Sequence, residues 1–187
     1  MSKSTRISEP PEGFRYQAEI ISSDDEQGLA EKIRELPLKE FEFHGYVGKR
    51  RTISYGWHYD FGEERLRETS EMPAFLLAAR ERAATFAGLM PEDLPHALVT
   101  EYSPGTTIGW HRDKGVFDDV VGISLLSPCT FRLRRKTASG WARYSHPLAP
   151  RSVYLLRGAA RSEWEHSIPA VEALRYSITF RSLRMKR

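Results

Sequence analysis

The feature that most constrains the fold of this chain is a series of short β-rich segments that follow Pro95. Turn residues such as SPG, KGV and SPC separate them. The segments are HALVTEY, TTIGW, VVGISLL, TFRLRRK, WARYSH, SVYLLRG and ALRYSITFRS. Many short strands with close-set turns are typical of a β-sandwich or a closed jelly roll.

Two helices are predicted before this β-rich half. Ser23, followed by Glu26, resembles a capping box, and the run GLAEKIRELPL continues it with helical apolar spacing. The second helix is predicted from about Pro73 to Ala87, where proline suits the first turn and Gly88 suits the stop. We therefore expect an α+β fold that is mainly β, a sandwich or a closed jelly roll with the N-terminal helices packed on one face.

The composition suits one folded domain, residues 1–187, with 40% hydrophobic and 28% charged residues. No apolar run approaches the roughly 18 residues of a membrane helix, and the polar start MSKSTRISEPPEG lacks the apolar core of a signal peptide. Cys129 is the single cysteine, so neither an internal disulfide nor a cysteine zinc site can form. The sequence predicts a cytoplasmic protein without a membrane partner, flexible over about residues 1–12.

The basic residues are clustered, although the net charge is only +3 and the pI about 9.0. The clusters are KRR at 49–51, RLRRK at 132–136 and RSLRMKR at 181–187. Such clusters favour contact with phosphate backbones. For any single cluster, a solvated surface rich in arginine is the alternative.

Two similar heptapeptides, GWHYDFG at 56–62 and GWHRDKG at 109–115, each place a histidine two positions before an aspartate. The composition gives about 0.2 such matches by chance, so the surroundings must decide between them. In an extended segment, residues two apart face the same side, so His111 and Asp113 can share one ion. His166, before the last strand, offers a third ligand. Two histidines and one carboxylate are typical of non-haem Fe(II) oxygenases, with catalytic zinc as the alternative.

The last predicted strand, residues 174–182, separates polar from apolar side chains. Arg175, Ser177 and Arg181 alternate with aromatic and aliphatic residues, so the polar set faces one way. Two buried arginines require anions, and their spacing suits a small dicarboxylate. Iron together with a dicarboxylate co-substrate suggests 2-oxoglutarate.

At this point the sequence resembles the AlkB family of Fe(II)/2-oxoglutarate dioxygenases over about residues 95–184, and more loosely from 45. The elements that match are HRD at 111–113, His166, and RYSITFR at 175–181, which is similar to the family's R-x-N-x-T-x-R with Ser177 in place of Asn. The run TEYSPGTTIGWH resembles the family's approach strand, with Thr100 where Asn is usual and Tyr102 matching.

The resemblance implies a double-stranded β-helix (jelly roll) core in which His111, Asp113 and His166 bind Fe(II). It implies that Arg175 and Tyr102 hold the far carboxylate of 2-oxoglutarate, that Arg181 holds the carboxylate beside the keto group, and that Thr100 and Ser177 contact the co-substrate. With O2, the co-substrate becomes succinate and carbon dioxide, and an N-alkyl group is hydroxylated and lost as an aldehyde.

The resemblance also implies a nucleotide-binding lid, at about residues 45–65. Its aromatic residues suit stacking on a flipped base, and its basic residues suit phosphate contact; these are Tyr55, Trp57, Tyr59, Lys49, Arg50 and Arg51. Packing of a hairpin against the core is the alternative for the aromatic residues. Arg161 is a candidate phosphate contact or a surface residue.

These features lead to three functional hypotheses. The first is a monomeric dioxygenase that dealkylates N-alkylated bases in DNA or RNA, in alkylation damage repair. The second keeps the cofactors but takes a protein or small-molecule substrate, because Gly115 replaces an acidic residue that contacts the base in many repair enzymes. The third is a non-catalytic β-barrel binding module.

Overall fold

A computed structural model describes the backbone of residues 3–43 and 46–184 and the side chains of 4–40 and 49–184. The first residue of the predicted lid and the last three residues of the predicted basic segment RSLRMKR lie outside this part. Within it, no helix is long and apolar enough to cross a membrane.

The described chain alternates a few helices with many strands. The helices are α1 (Ser23–Arg34), α2 (Ala74–Ala87) and α3 (Gly158–Ser162). The strands are β1 (Lys3–Arg6), β2 (Phe14–Gln17), β3 (Lys39–Phe43), β4 (Tyr46–Tyr55), β5 (Trp57–Asp60), β6 (Arg65–Glu68), β7 (His96–Tyr102), β8 (Ile108–His111), β9 (Phe117–Leu125), β10 (Cys129–Thr137), β11 (Gly140–Leu148), β12 (Ser152–Leu156), β13 (Glu165–Ile168) and β14 (Arg175–Leu183).

Two sheets form the body of the molecule. The smaller has the order β1-β11-β10-β13-β8, and the larger β2-β12-β9-β14-β7-β4-β3. A cluster that includes Phe131 and Leu133 of the smaller sheet and Tyr154 and Leu156 of the larger lies between them. With 46% strand and 20% helix, this arrangement confirms the predicted mainly β jelly roll, although the sheets do not close.

The helices pack on the outer face of the larger sheet, as predicted. One apolar cluster joins Ile33 of α1 and Leu76 of α2 to Ile123 and Ile178 of that sheet. The cap of α1 differs from the prediction by one position, since the side chain of Ser22 accepts from the backbone N–H of Asp25.

The second helix confirms the predicted end signals. Pro73 directly precedes α2, and Gly88 ends it in the left-handed region at φ 69°. Glycine suits this position because residues with a Cβ rarely adopt such a conformation.

The polar and apolar sets of β14 face opposite sides, as the sequence predicts. Tyr176, Ile178 and Phe180 belong to the helix-side cluster. Arg175 and Arg181 therefore face the space between the sheets.

Part of the segment predicted to be flexible, about residues 1–12, is paired with a sheet, and residues 1 and 2 lie outside the described part of the chain. Lys3–Arg6 forms β1, an edge strand that pairs in parallel with β11. Backbone hydrogen bonding to the sheet orders these four residues.

Candidate metal and co-substrate site

The two predicted metal histidines lie opposite each other on neighbouring strands. β8 and β13 are antiparallel, and His111 and His166 are register partners. The centroids of their rings are 4.2 Å apart. The structure thus brings together two imidazoles that are far apart in the sequence, because side chains directly opposite on paired strands touch.

Asp113 follows β8 and places its carboxylate beside these rings. Its Oδ2 lies 3.7 Å from Nε2 of His166, and its Oδ1 accepts from Nε and Nη2 of Arg181 at 3.0 and 2.7 Å. Burial alone would raise the pKa of Asp113, but neighbouring positive charge, chiefly that of Arg181, outweighs burial and holds this pKa well below its ordinary value. The carboxylate is therefore ionised.

Both histidines are neutral at pH 7. Burial, with a further contribution from His111, lowers the pKa of His166 to about 3. Burial also lowers the pKa of His111. Nδ1 of His111 lies 2.9 Å from the carbonyl oxygen of Gly109, so we assign the ring proton to Nδ1. This leaves the Nε2 lone pair for a ligand.

These groups suit a divalent metal ion. Oδ2 of Asp113 is buried without a hydrogen-bond partner, which is costly for an ionised oxygen unless a cation meets it. Among the described residues no three His, Cys, Asp or Glu side chains already stand in a ligating arrangement, and Arg181 holds the other oxygen of Asp113. In kind, however, two neutral imidazoles and a carboxylate are the donors of the Fe(II) facial triad.

Arg175 provides a second binding group at the start of β14. Its side chain is 1% exposed, and its Nε donates to Oγ of Ser124 at 3.1 Å. Its guanidinium carbon lies 4.8 Å from the ring centroid of Tyr102, the register partner on β7. Nη1 is buried without a hydrogen-bond partner. Such a group requires an anion, and a carboxylate matches its geometry.

Small hydroxyl side chains lie between the two arginines of β14. Thr100 and Ser177 are register partners on β7 and β14, and Ser177 also pairs with Ser124 on β9. All three are buried. Thr100 and Ser177 stay predicted co-substrate contacts, on the same strands as Tyr102 and Arg175.

Arg181 contacts more than the predicted co-substrate carboxylate. Besides its ion pair with Asp113, its Nη1 lies 3.4 Å from Nδ1 of His96. Burial and then Arg181 lower the pKa of His96 well below its ordinary value. His96 is therefore a neutral partner of Arg181, a role that sequence reasoning missed.

Tyr154 is another residue that sequence reasoning missed. Burial raises the pKa of its phenol, Tyr102 and Asp113 raise it further, and Arg175 and Arg181 oppose them. The phenol thus lies among the charged groups of the site. A Cβ at Gly122 would lie 2.3 Å from the ring of Tyr154. The signal in the sequence is the glycine inside the predicted strand VVGISLL, since glycine there marks a close approach.

The structure places the predicted lid residues in different environments. The prediction that Tyr55 stacks on a base is corrected, because Tyr55 is only 7% exposed and packs in the helix-side cluster. Trp57 and Tyr59 lie on the β5–β6 hairpin, outside the two main sheets. Arg51 forms an ion pair with Glu101 at 2.8 Å.

Arg161 also needs a correction. It is 5% exposed, and its Nη2 donates to the carbonyl oxygens of Lys114 and Phe117 at 2.6 and 2.8 Å. These bonds fix the loop after Asp113. Arg161 is therefore neither a surface residue nor placed chiefly for a phosphate.

The sequence has two informative relatives in Arabidopsis thaliana. The chain is 29% identical over 147 residues to "Alkylated DNA repair protein ALKBH8 homolog", covering 66% of this chain and 42% of that protein. It is 30% identical over 176 residues to "RNA demethylase ALKBH9B", covering 83% of this chain and 35% of that protein. The chain thus spans less than half the length of either relative.

Solved structures share the fold. The structure of OsALKBH1 matches with a TM-score of 0.67 at 17% identity, over 91% of this chain and 96% of that one. A 2OG-Fe(II) oxygenase family oxidoreductase from Burkholderia pseudomallei matches with a TM-score of 0.61 at 14% identity, over 92% and 86%. Residues 26–181 match the sequence profile of the 2OG-Fe(II) oxygenase superfamily. The chain therefore belongs to the 2OG-Fe(II) oxygenase superfamily, and its named relatives are AlkB homologues.

Proposed function

We propose that this chain is an Fe(II)- and 2-oxoglutarate-dependent dioxygenase that removes alkyl groups from base nitrogens in DNA or RNA. The observation that carries the proposal is the approach of the His111 and His166 rings to each other and of the Asp113 carboxylate to His166. The superfamily uses Fe(II), 2-oxoglutarate and O2. The names of the two relatives, one in DNA repair and one an RNA demethylase, direct the proposal toward nucleic acid.

In this proposal the chain supplies ligands and orientation. His111, Asp113 and His166 hold the iron, and Arg175 holds the far carboxylate of 2-oxoglutarate through its unpartnered Nη1. Arg181 meets the carboxylate beside the keto group. When bound, iron and co-substrate supply the oxidising power that places an oxygen atom on the carbon of the N-alkyl group.

Apolar side chains shield His166 from water on one side. The ring of Phe131 lies 5.3 Å from that of His166, and Leu133, the register partner of His166, is fully buried. A dry site protects reactive groups from side reactions. The hydroxylated alkyl group then leaves as an aldehyde, and the base regains its N–H.

The proposed domain is one unit, residues 1–187, with a catalytic β core at about 95–184 and a substrate lid at about 45–65. Within the lid, Trp57 and Tyr59 are the proposed stacking residues, since both are only partly buried. The monomeric state and the cytoplasmic location stay predictions from the sequence.

A second candidate function keeps the cofactors but replaces the nucleic acid by a protein or small molecule. Gly115 favours it, because the position has no side chain for reading a base and an added Cβ would meet no atom within 4 Å. The pocket is therefore open at this point and accepts other shapes.

The test is a demethylation assay with Fe(II), 2-oxoglutarate and oligonucleotides that carry 1-methyladenine, 3-methylcytosine or etheno-adenine. We expect aldehyde and succinate in equal amounts from at least one substrate, and neither product from His111→Ala. Turnover of 2-oxoglutarate with a protein or small molecule, but with no modified oligonucleotide, would overturn the first candidate and support the second.

A further inference from the structure

A row of arginines crosses the smaller sheet. Arg6 on β1 is the register partner of Arg143 on β11, and Arg143 is the register partner of Arg134 on β10. Arg134 alternates along β10 with Phe131 and Leu133, which are buried between the sheets, so the row lies on the outer face. We call Arg6, Arg143 and Arg134 the arginine row.

This arrangement is unfavourable without an anion. Like charges directly opposite each other on neighbouring strands destabilise a sheet. The next register partner, Glu165 on β13, accepts from Nε of Arg134 at 2.6 Å. One carboxylate therefore offsets part of the repulsion and leaves the rest of the row positively charged.

Tryptophan side chains lie against two arginines of the row, Arg134 and Arg143, and against the neighbouring Arg132. The guanidinium carbon of Arg134 lies 4.5 Å from the ring centroid of Trp110 and 4.3 Å from that of Trp141. Those of Arg132 and Arg143 lie 5.1 and 5.7 Å from Trp110. A guanidinium stacked on an indole keeps its N–H edge for bidentate contact with a phosphate. Because arginines already contact Trp110, this face offers charge rather than room for stacked bases.

The arginine row adjoins the catalytic site. Glu165 also lines a cavity of about 480 Å³ together with Asp113. The cavity is rich in cations, which are Arg112, Lys114, Arg161 and Arg184. Positive charge therefore continues from the predicted metal ligand, past Glu165, onto the outer face of the smaller sheet.

We propose that the arginine row binds the phosphates of a nucleic acid strand that leaves this cavity. The enzyme then contacts its substrate both at the alkylated base and at phosphates farther along the strand. The inference rests on the proposed function, because it takes the substrate to be a nucleic acid. Neighbouring strands are about 4.8 Å apart, so the row spans about 10 Å. About three nucleotides of a helical strand cover that distance.

The experiment measures the salt dependence of binding to an unmodified single strand of about 16 nucleotides, the upper end of single-strand site sizes. The variant Arg6→Gln/Arg143→Gln removes two charges from the row. The control Lys32→Gln/Arg82→Gln removes two charges from exposed positions on α1 and α2. Each lost phosphate contact should make the slope of log K against log salt less negative by about 0.7, so we expect a change of about 1.4 in the variant and none in the control.

Activity separates this inference from the proposed function. A methylated trinucleotide has only two phosphodiesters, and the variant changes the two arginines of the row that lie farthest from Glu165 in the sheet. The row variant should therefore demethylate the trinucleotide as well as the wild type does, which also shows that the variant folds. With the longer methylated strand, the KM of the row variant should rise several-fold.

The possible results point in different directions. An unchanged salt slope in the row variant, with normal trinucleotide turnover, overturns the arginine row and leaves the proposed function standing. A reduced slope without any demethylation keeps the row and overturns the proposed function. If the row variant loses binding to anionic lipid vesicles but keeps wild-type binding to the oligonucleotide, the inference is also overturned, because the row then binds a membrane surface.

Discussion

The heptapeptides at 56–62 and 109–115 share Gly, Trp, His, Asp and Gly at the same positions, yet they form different structures. In the earlier one, Oδ1 of Asp60 accepts from the backbone N–H groups of Gly62 and Glu63 at 2.9 and 3.0 Å and shapes an exposed hairpin turn. In the later one, β8 pairs with β13 and places His111 against His166. The neighbouring strand, rather than the short motif, makes the difference.

The largest difference between the two heptapeptides is expected in catalysis. His111→Ala should reduce 2-oxoglutarate turnover at least about 100-fold, because it removes a predicted iron ligand. His58→Ala makes the same change on an exposed strand and should keep turnover within about twofold. Succinate production measures both, and equal losses in the two variants would contradict the assignment.

The first glycines of the heptapeptides should differ in their contribution to stability. Gly56 has φ 72°, and a Cβ there would lie 2.0 Å from the carbonyl oxygen of Pro95. Gly56→Ala should therefore lower the free energy of unfolding by about 3 kcal/mol. Gly109→Ala meets no atom within 4 Å and should change it by less than about 0.5 kcal/mol. Urea unfolding of the two variants decides, and similar midpoints would show the contrast to be false.

Acid should destabilise the protein through the later site. With metal removed by a chelator, the pKa of His166 is about 3 in the folded state, against 6.5 ordinarily. Between these values the unfolded chain binds the proton more strongly, so the free energy of unfolding is largest above pH 6.5 and falls as the pH decreases toward 3. From pH 7 to pH 5, His166 alone should lower it by about 2 kcal/mol.

The check is denaturant unfolding at several pH values. Between pH 7 and pH 5, the free energy of unfolding of His166→Asn should fall by about 2 kcal/mol less than that of the wild type. Tyr59→Phe in the hairpin should show the same pH dependence as the wild type. A wild-type protein that becomes more stable on acidification would be inconsistent with a buried, neutral His166.

The smallest effect concerns the contact between the two heptapeptides. Nζ of Lys114 lies 5.1 Å from the ring centroid of Tyr59 and 5.2 Å from that of Phe61. A double-mutant cycle of Lys114→Ala and Tyr59→Ala should give a coupling energy of about 0.5–1 kcal/mol. Additive single effects would mean that the hairpin and the loop after Asp113 do not support each other.

The fold could be predicted where apolar spacing is regular. The predicted segment HALVTEY is β7 without change, and α2 ends at the predicted glycine. β4 could not be predicted, because its basic residues at 49–51 hide the alternation and its pairing with β7 supplies the order. β13 has only four residues, too few for a periodic pattern.

Part of the site could also be predicted from the sequence. The HRD motif and the resemblance to the AlkB family predicted that His111 and His166 would meet, and the antiparallel pairing of β8 with β13 brings them together. Tyr55 could not be placed, since its burial depends on pairing with Ala97 and on the helices above that strand. The ion pair between Asp113 and Arg181 could not be predicted. The sequence analysis assigned Asp113 to the metal ion and Arg181 to a carboxylate of 2-oxoglutarate.

Lys114 links the β5–β6 hairpin to the cavity beside Asp113. Its ammonium rests on the rings of Tyr59 and Phe61 and also borders the cavity beside Asp113. Loss of these aromatic contacts would leave the ammonium beside the cavity with its charge uncovered, which would make the cavity more attractive to a phosphodiester.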